Sequence, residues 1–128
     1  MNLFNHGDFT LASGKKSNFK IDCDALTSDD WAAIAALVAP KLRFRTVIGI
    51  PRGGWKFAEA LYQYRSEESS CILYADDVWT TGGSLMKLVN KEYPMSAVVL
   101  FYRGVEPKPL WLTTVFDMNL NLLPSTTG

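Results

Sequence analysis

The chain has 128 residues, 48% hydrophobic and 20% charged, which suits one globular core and leaves too little for two comfortable ones. Thirteen basic and thirteen acidic residues cancel, so there is no bulk electrostatic reason to bind nucleic acid. Two cysteines, Cys23 and Cys71, are too few for a disulfide framework, and a single histidine, His6, rules against a histidine-based triad or a zinc spacing.

No basic region followed by an apolar core opens the chain, and the longest apolar run, Trp31 to Val38, is far too short to span a membrane. The expectation is one cytoplasmic domain over residues 1–128 without nucleic-acid or membrane partners.

Phe9 to Ser17 carries a Ser13-Gly14 turn between apolar ends, and Phe19 to Cys23 alternates as a short strand. Ser28 suits an N-cap, with Asp29 and Asp30 in the first turn of a buried helix that runs to about Ala39. Thr46 to Ile50 is a β-branched strand broken by Pro51-Arg52-Gly53-Gly54. Trp55 to Tyr64 follows as a helix, with Trp55, Ala58, Leu61 and Tyr62 expected inward. Trp31 and Trp55 are expected in the core.

Arg65 to Ser70 is a polar loop. Cys71 to Ala75 is a strand, and a helix to about Glu92 is expected to place Leu85, Leu88 and Val89 on one stripe. Ala97 to Tyr102 is a buried strand, Gly104 to Pro109 a loop, Trp111 to Phe116 an edge strand, and Pro124 to Gly128 a frayed tail. Alternating strands and helices predict an α/β fold with a parallel sheet, in which ligands bind at the carboxyl ends of the strands. Gly53-Gly54 and Thr80 to Ser84 both fall at such ends.

Between strand and helix stands Asp76-Asp77-Val78-Trp79-Thr80-Thr81-Gly82-Gly83-Ser84. A Thr/Gly/Ser loop that opens a helix can aim N–H groups and hydroxyls at a phosphate, with the helix dipole favouring the negative charge. Adjacent carboxylates can accept hydrogen bonds from a diol or hold a divalent metal through oxygen. A sugar phosphate satisfies both halves at once. Gly53 and Gly54 allow the backbone to approach an anion closely, and Arg52 can fork onto phosphate oxygens.

The segment closely resembles the phosphoribosyl pyrophosphate motif of type I phosphoribosyltransferases. Gly49 to Gly54 resembles the pyrophosphate loop of the xanthine-guanine members, and Trp111 to Met118 their hood strand. Phe9 to Phe19 is similar to the N-terminal signature of the orotate members. The resemblance implies a Rossmann-like core with a small hood formed by the termini. It implies ribose and metal contacts from Asp76 and Asp77, and 5-phosphate contacts from Thr80, Thr81, Gly82, Gly83 and Ser84. Arg52, Gly53 and Gly54 are implied for pyrophosphate, and Phe19, Lys20 and Trp111 for the base. It implies Mg²⁺ as cofactor, held through the substrate and the acidic pair, and transfer of the phosphoribosyl group to a nitrogen base, orotate or purine-like. No general base is assigned.

Three departures from the family stand out. Only Arg65 to Ser70 lies where the family inserts a closing catalytic loop. Ala12 stands where orotate enzymes carry a lysine, and Thr80 where purine enzymes carry an aspartate. The missing loop favours an alternative: a non-catalytic module that senses phosphoribosyl pyrophosphate or a nucleotide. A further alternative is a flavodoxin-like phosphate-binding domain with metal on Asp76 and Asp77. Homodimerisation is a general expectation for a small protein with an open site and apolar edges.

Overall fold

The computed structural model describes the backbone of residues 4–10 and 16–21, and residues 23–104 and 107–118 with their side chains. Strands β1 (Phe4–Thr10) and β2 (Lys16–Ile21) pair antiparallel into a two-stranded sheet. The Ser13-Gly14 turn between them lies outside the described residues, as does the tail from 119. Cys23, read as the end of a strand, begins a short 3-10 turn.

Helix α1 (Ser28–Val38) is capped one residue earlier than expected. Thr27 is the N-cap: its Oγ1 accepts from Asp30 N at 3.1 Å, while Asp30 Oδ2 accepts from Thr27 N at 2.8 Å. This reciprocal box satisfies two donors that the first turn leaves open. Ser28 is thereby the first residue inside the helix.

The main sheet contains β3 (Thr46–Gly49), β4 (Ile72–Trp79), β5 (Met95–Tyr102) and β6 (Leu112–Asp117), all parallel and in that spatial order. Side chains alternate across it. Leu73, Ala75, Val98 and Leu100 join Trp31, Ala35 and Val38 of α1 and Phe57, Ala58 and Leu61 of α2 (Trp55–Leu61) in one cluster. Tyr74, Ala97, Val99 and Tyr102 join Leu85 of α3 (Gly83–Met86) in a second. Burial on both faces explains why β5 reads as an unbroken apolar run from Ala97 to Tyr102.

Three further expectations are corrected. Trp55 and Tyr62 are 56% and 52% exposed, so Trp55 is not core. Phe57 takes the inward place, its ring 5.2 Å from that of Trp31. Strand β4 runs past Ala75 through both aspartates to Trp79. Helix α3 is a single turn that stops well short of Glu92, with Leu85 buried and Leu88 exposed. The edge strand expected from Trp111 to Phe116, the segment likened to a hood strand, is β6, the outermost strand of the core sheet. Among the described residues no helix is long and apolar enough to cross a membrane.

Candidate functional site

Strand β3 last pairs with β4 at Gly49 and Ala75. The chain then folds back on itself. Ile50 N donates to Ala75 O at 2.8 Å, and Gly54 N donates to Ile50 O at 2.9 Å. The peptide bond from Pro51 to Arg52 is cis. Glycine is required at Gly54 by close packing: a Cβ there would run into Ala75 O and come within 2.7 Å of Ile50 N. Helix α2 begins directly behind this loop, and Arg52 is exposed at its tip.

Beyond Ala75, β4 has no β3 residue beside it. The acidic pair satisfies the backbone there. Asp77 N donates to Asp76 Oδ1 at 2.8 Å, and Val78 N donates to Asp77 Oδ1 at 2.7 Å. Both aspartates are half-buried. Burial, then the hydrogen bond with Asp77 and that residue's charge, push the Asp76 carboxyl up to about 8, against a smaller lowering by the Asp77 backbone N–H. The Asp77 carboxylate reaches across to the β3 loop and lies against Gly53. The loop after β3 and the acidic pair within β4, far apart in sequence, thus meet just beyond the carboxyl end of β3.

Past the acidic pair, β4 ends at Trp79 and a turn follows. Gly82 has φ +79° and caps α3, and Trp79 lies beneath it, where a Cβ would strike the indole. That position needs glycine on both counts. Thr81 Oγ1 accepts from Gly83 N at 3.4 Å. Thr81, Gly83 and Ser84 are exposed and Thr80 is half-buried, so the polar groups of the turn are accessible. Because α3 is one turn long, its dipole adds little; the loop's own donors carry any attraction for phosphate.

Phe19 and Lys20 lie in β2, and their side chains fall outside the described residues. Trp111 precedes β6 at the amino-terminal side of the sheet, and its ring packs edge-on against Trp79, centroids 6.0 Å apart. Arg103, passed over in the sequence, follows β5 at the carboxyl end, where its N–H donates to Trp79 O at 2.7 Å. Burial lowers its guanidinium from the ordinary arginine value. The signal was its place: a basic residue directly after a buried strand in a sheet that binds at strand ends.

The link from Arg65 to Cys71 runs along the other end of the sheet. Ser66 N donates to Phe44 O at 2.7 Å, Arg45 N to Cys71 O at 2.8 Å and Arg45 Nη1 to Glu67 O at 3.0 Å. These bonds tie it to the residues that lead into β3, away from the crevice.

No family model matches the chain, and no curated protein matches its sequence. Solved structures do. Orotate phosphoribosyltransferase from Aeropyrum pernix superposes with a TM-score of 0.72 at 24% identity, over 91% of this chain and 89% of that one. Leishmania donovani UMP synthase gives 0.72 at 20% identity, over 91% of this chain, which spans about a third (34%) of that longer protein. Mycobacterium tuberculosis orotate phosphoribosyltransferase, solved with inorganic phosphate, gives 0.64 at 20% identity over 88% and 87%. At these identities the likeness is one of fold. The chain has the parallel α/β core of the type I phosphoribosyltransferases.

Proposed function

We propose that this chain binds phosphoribosyl pyrophosphate and transfers its phosphoribosyl group to a nitrogen base, releasing pyrophosphate. The observation that carries the proposal is the contact of the Asp77 carboxylate with Gly53. It brings an acidic pair suited to a ribose diol against a glycine loop suited to pyrophosphate, and the turn suited to a 5-phosphate opens from the same strand.

In this reading Asp76 and Asp77 hold the ribose hydroxyls. Thr80, Thr81, Gly82, Gly83 and Ser84 hold the 5-phosphate, and Arg52, Gly53 and Gly54 the leaving group. The nitrogen lone pair forms a bond to the anomeric carbon as the bond to pyrophosphate breaks, through an oxocarbenium-like state of the kind seen in glycoside chemistry. The protein's contribution is alignment and charge stabilisation.

Among the described residues no cluster of three or more His, Cys, Asp or Glu side chains could hold a metal. Asp76 and Asp77 are the oxygen ligands that would hold a Mg²⁺ here, and such an ion would supply positive charge to offset that of the leaving pyrophosphate. The acceptor is named only as a nitrogen heterocycle, because Phe19 and Lys20 lie outside the described side chains and Trp111 is packed on Trp79.

Phosphoribosyl pyrophosphate with Mg²⁺ is expected to raise the melting temperature, since a ligand of the native state stabilises it by mass action. The Asp76→Asn/Asp77→Asn variant is expected to lose that shift while remaining folded. A folded wild-type sample that shows no shift at millimolar ligand would overturn the proposal. One observation favours a second reading, a sensing module without turnover: the link from α2 to β4 lies at the opposite end of the sheet and supplies no cover. Single-turnover assays against a panel of bases separate the two.

A further inference from the structure

The sequence suggests that Gly53 lets the backbone approach a phosphate. In the structure the anion it approaches belongs to the protein. A Cβ built on Gly53 has Asp77 Oδ2, Cγ and Oδ1 as its three nearest atoms, with Cγ at 2.5 Å and Oδ1 at 2.7 Å. Side chains do not approach so closely, so an added methyl group must displace the carboxylate or the loop.

Asp77 is held from the other side as well, since its Oδ1 accepts from Val78 N at 2.7 Å. The carboxylate is thus fixed between its own strand and the loop that follows the neighbouring one. Gly54, the adjacent glycine, differs in kind. Its missing Cβ makes room for backbone atoms of Ala75 and Ile50, so its task is to close the loop.

We propose that Gly53 is a positioning residue for Asp77. By having no side chain it admits the carboxylate to the floor of the crevice and sets the direction in which that acid faces the sugar. This task is separate from any contact Gly53 makes with pyrophosphate, and it rests on the sugar-phosphate reading of the site. It also accounts for the two consecutive glycines, one shaping the loop and the other admitting an acid.

The test uses ribose 5-phosphate, which carries the hydroxyls and the 5-phosphate but no pyrophosphate. Its affinity is measured by calorimetry for wild type, Gly53→Ala, Asp77→Ala and the double variant. Gly53→Ala is expected to weaken binding roughly tenfold or more, the size of a lost hydrogen bond to a charged group. The double variant is expected to bind no more weakly than Asp77→Ala alone, because Gly53 acts through that acid. Inorganic phosphate, which needs only the turn after β4, is expected to bind all four proteins alike.

Unchanged affinity for ribose 5-phosphate in Gly53→Ala, or losses that simply add in the double variant, overturn the inference. Should Gly53→Ala fail to fold, adding Asp77→Ala is expected to restore the fold by removing the overlap; no restoration overturns the inference too. A wild-type protein that binds ribose 5-phosphate no better than phosphate overturns the proposed function instead. A crystal structure of Gly53→Ala then still decides whether the carboxylate is turned away.

Discussion

Asp76 carries a cost imposed by burial and added to by its neighbour. Its carboxyl is raised from 3.8 to about 8 by burial and by Asp77, so between those values the folded chain holds a proton that the unfolded chain has released. Stability should therefore fall as pH rises across that window and level off above it. Asp76→Asn keeps an acceptor for Asp77 N and removes the titration. The variant is expected to match wild type near pH 4 and to exceed its unfolding free energy at pH 8 by more than about 1 kcal/mol. Urea unfolding at pH 5, 6.5 and 8 checks this, and a difference that stays flat with pH would contradict it. Gly82 shows the reverse case, a residue whose absence of a side chain stabilises. Its φ of +79° and the Trp79 indole beneath it both exclude a Cβ. Gly82→Ala is expected to cost about 1–3 kcal/mol in the same assay. A loss below roughly half a kcal/mol would mean that the turn relaxes freely.

Strand β4 and helix α3 show which features were legible in the sequence. The apolar run from Cys71 to Ala75 marked a strand, and the Thr/Gly/Ser cluster marked a turn. Nothing local showed that the strand continues through two aspartates, because the pairing of Asp76 with Val99 and Trp79 with Tyr102 that extends it comes from β5. Helix α3 was overestimated because Leu85, Leu88 and Val89 satisfy a helical period. What ends it is non-local: the fully buried Tyr74 accepts Asn90 N at 2.9 Å through its hydroxyl, and Asn90 Oδ1 then accepts Glu92 N at 3.0 Å. The asparagine side chain competes with helical bonding, as such residues do. Tyr74→Phe is accordingly expected to lower stability by about 1 kcal/mol and to speed amide exchange in residues 87–94 more than in β5. Uniform acceleration across the sheet would show that the hydroxyl serves the core instead. Helix α2 failed for a different reason. Apolar residues at Trp55, Phe57, Ala58, Leu61 and Tyr62 fit two helical phases, and only the contact of Phe57 with Trp31 selects one. The placement of both loops after the carboxyl ends of neighbouring strands was legible, because parallel topology alone sends them there.

The molecule as a whole positions more than it encloses. The loop after β3, the acidic pair and the turn after β4 are anchored in a sheet buried on both faces, so they stand on a rigid base. Cover is another matter. Lids exclude water and complete the catalytic constellation, and the link from α2 to β4 is bonded to Phe44 and Arg45 at the far end of the sheet. A sugar bound at this crevice is therefore expected to remain open to solvent on the side where that link would otherwise close. An oxocarbenium-like centre in contact with water partitions between water and the base. Turnover is thus expected to be slow, with release of pyrophosphate by hydrolysis competing with transfer. Following pyrophosphate release with and without candidate bases, at several protein concentrations, separates the outcomes. Release that scarcely depends on the base is the expected result at low concentration. Activity that becomes coupled to the base only as concentration rises would mean that a second copy supplies the cover. Fast transfer tightly coupled to the base in a dilute monomer would show that the described crevice needs no lid, and the proposed link between short loop and slow turnover would fall.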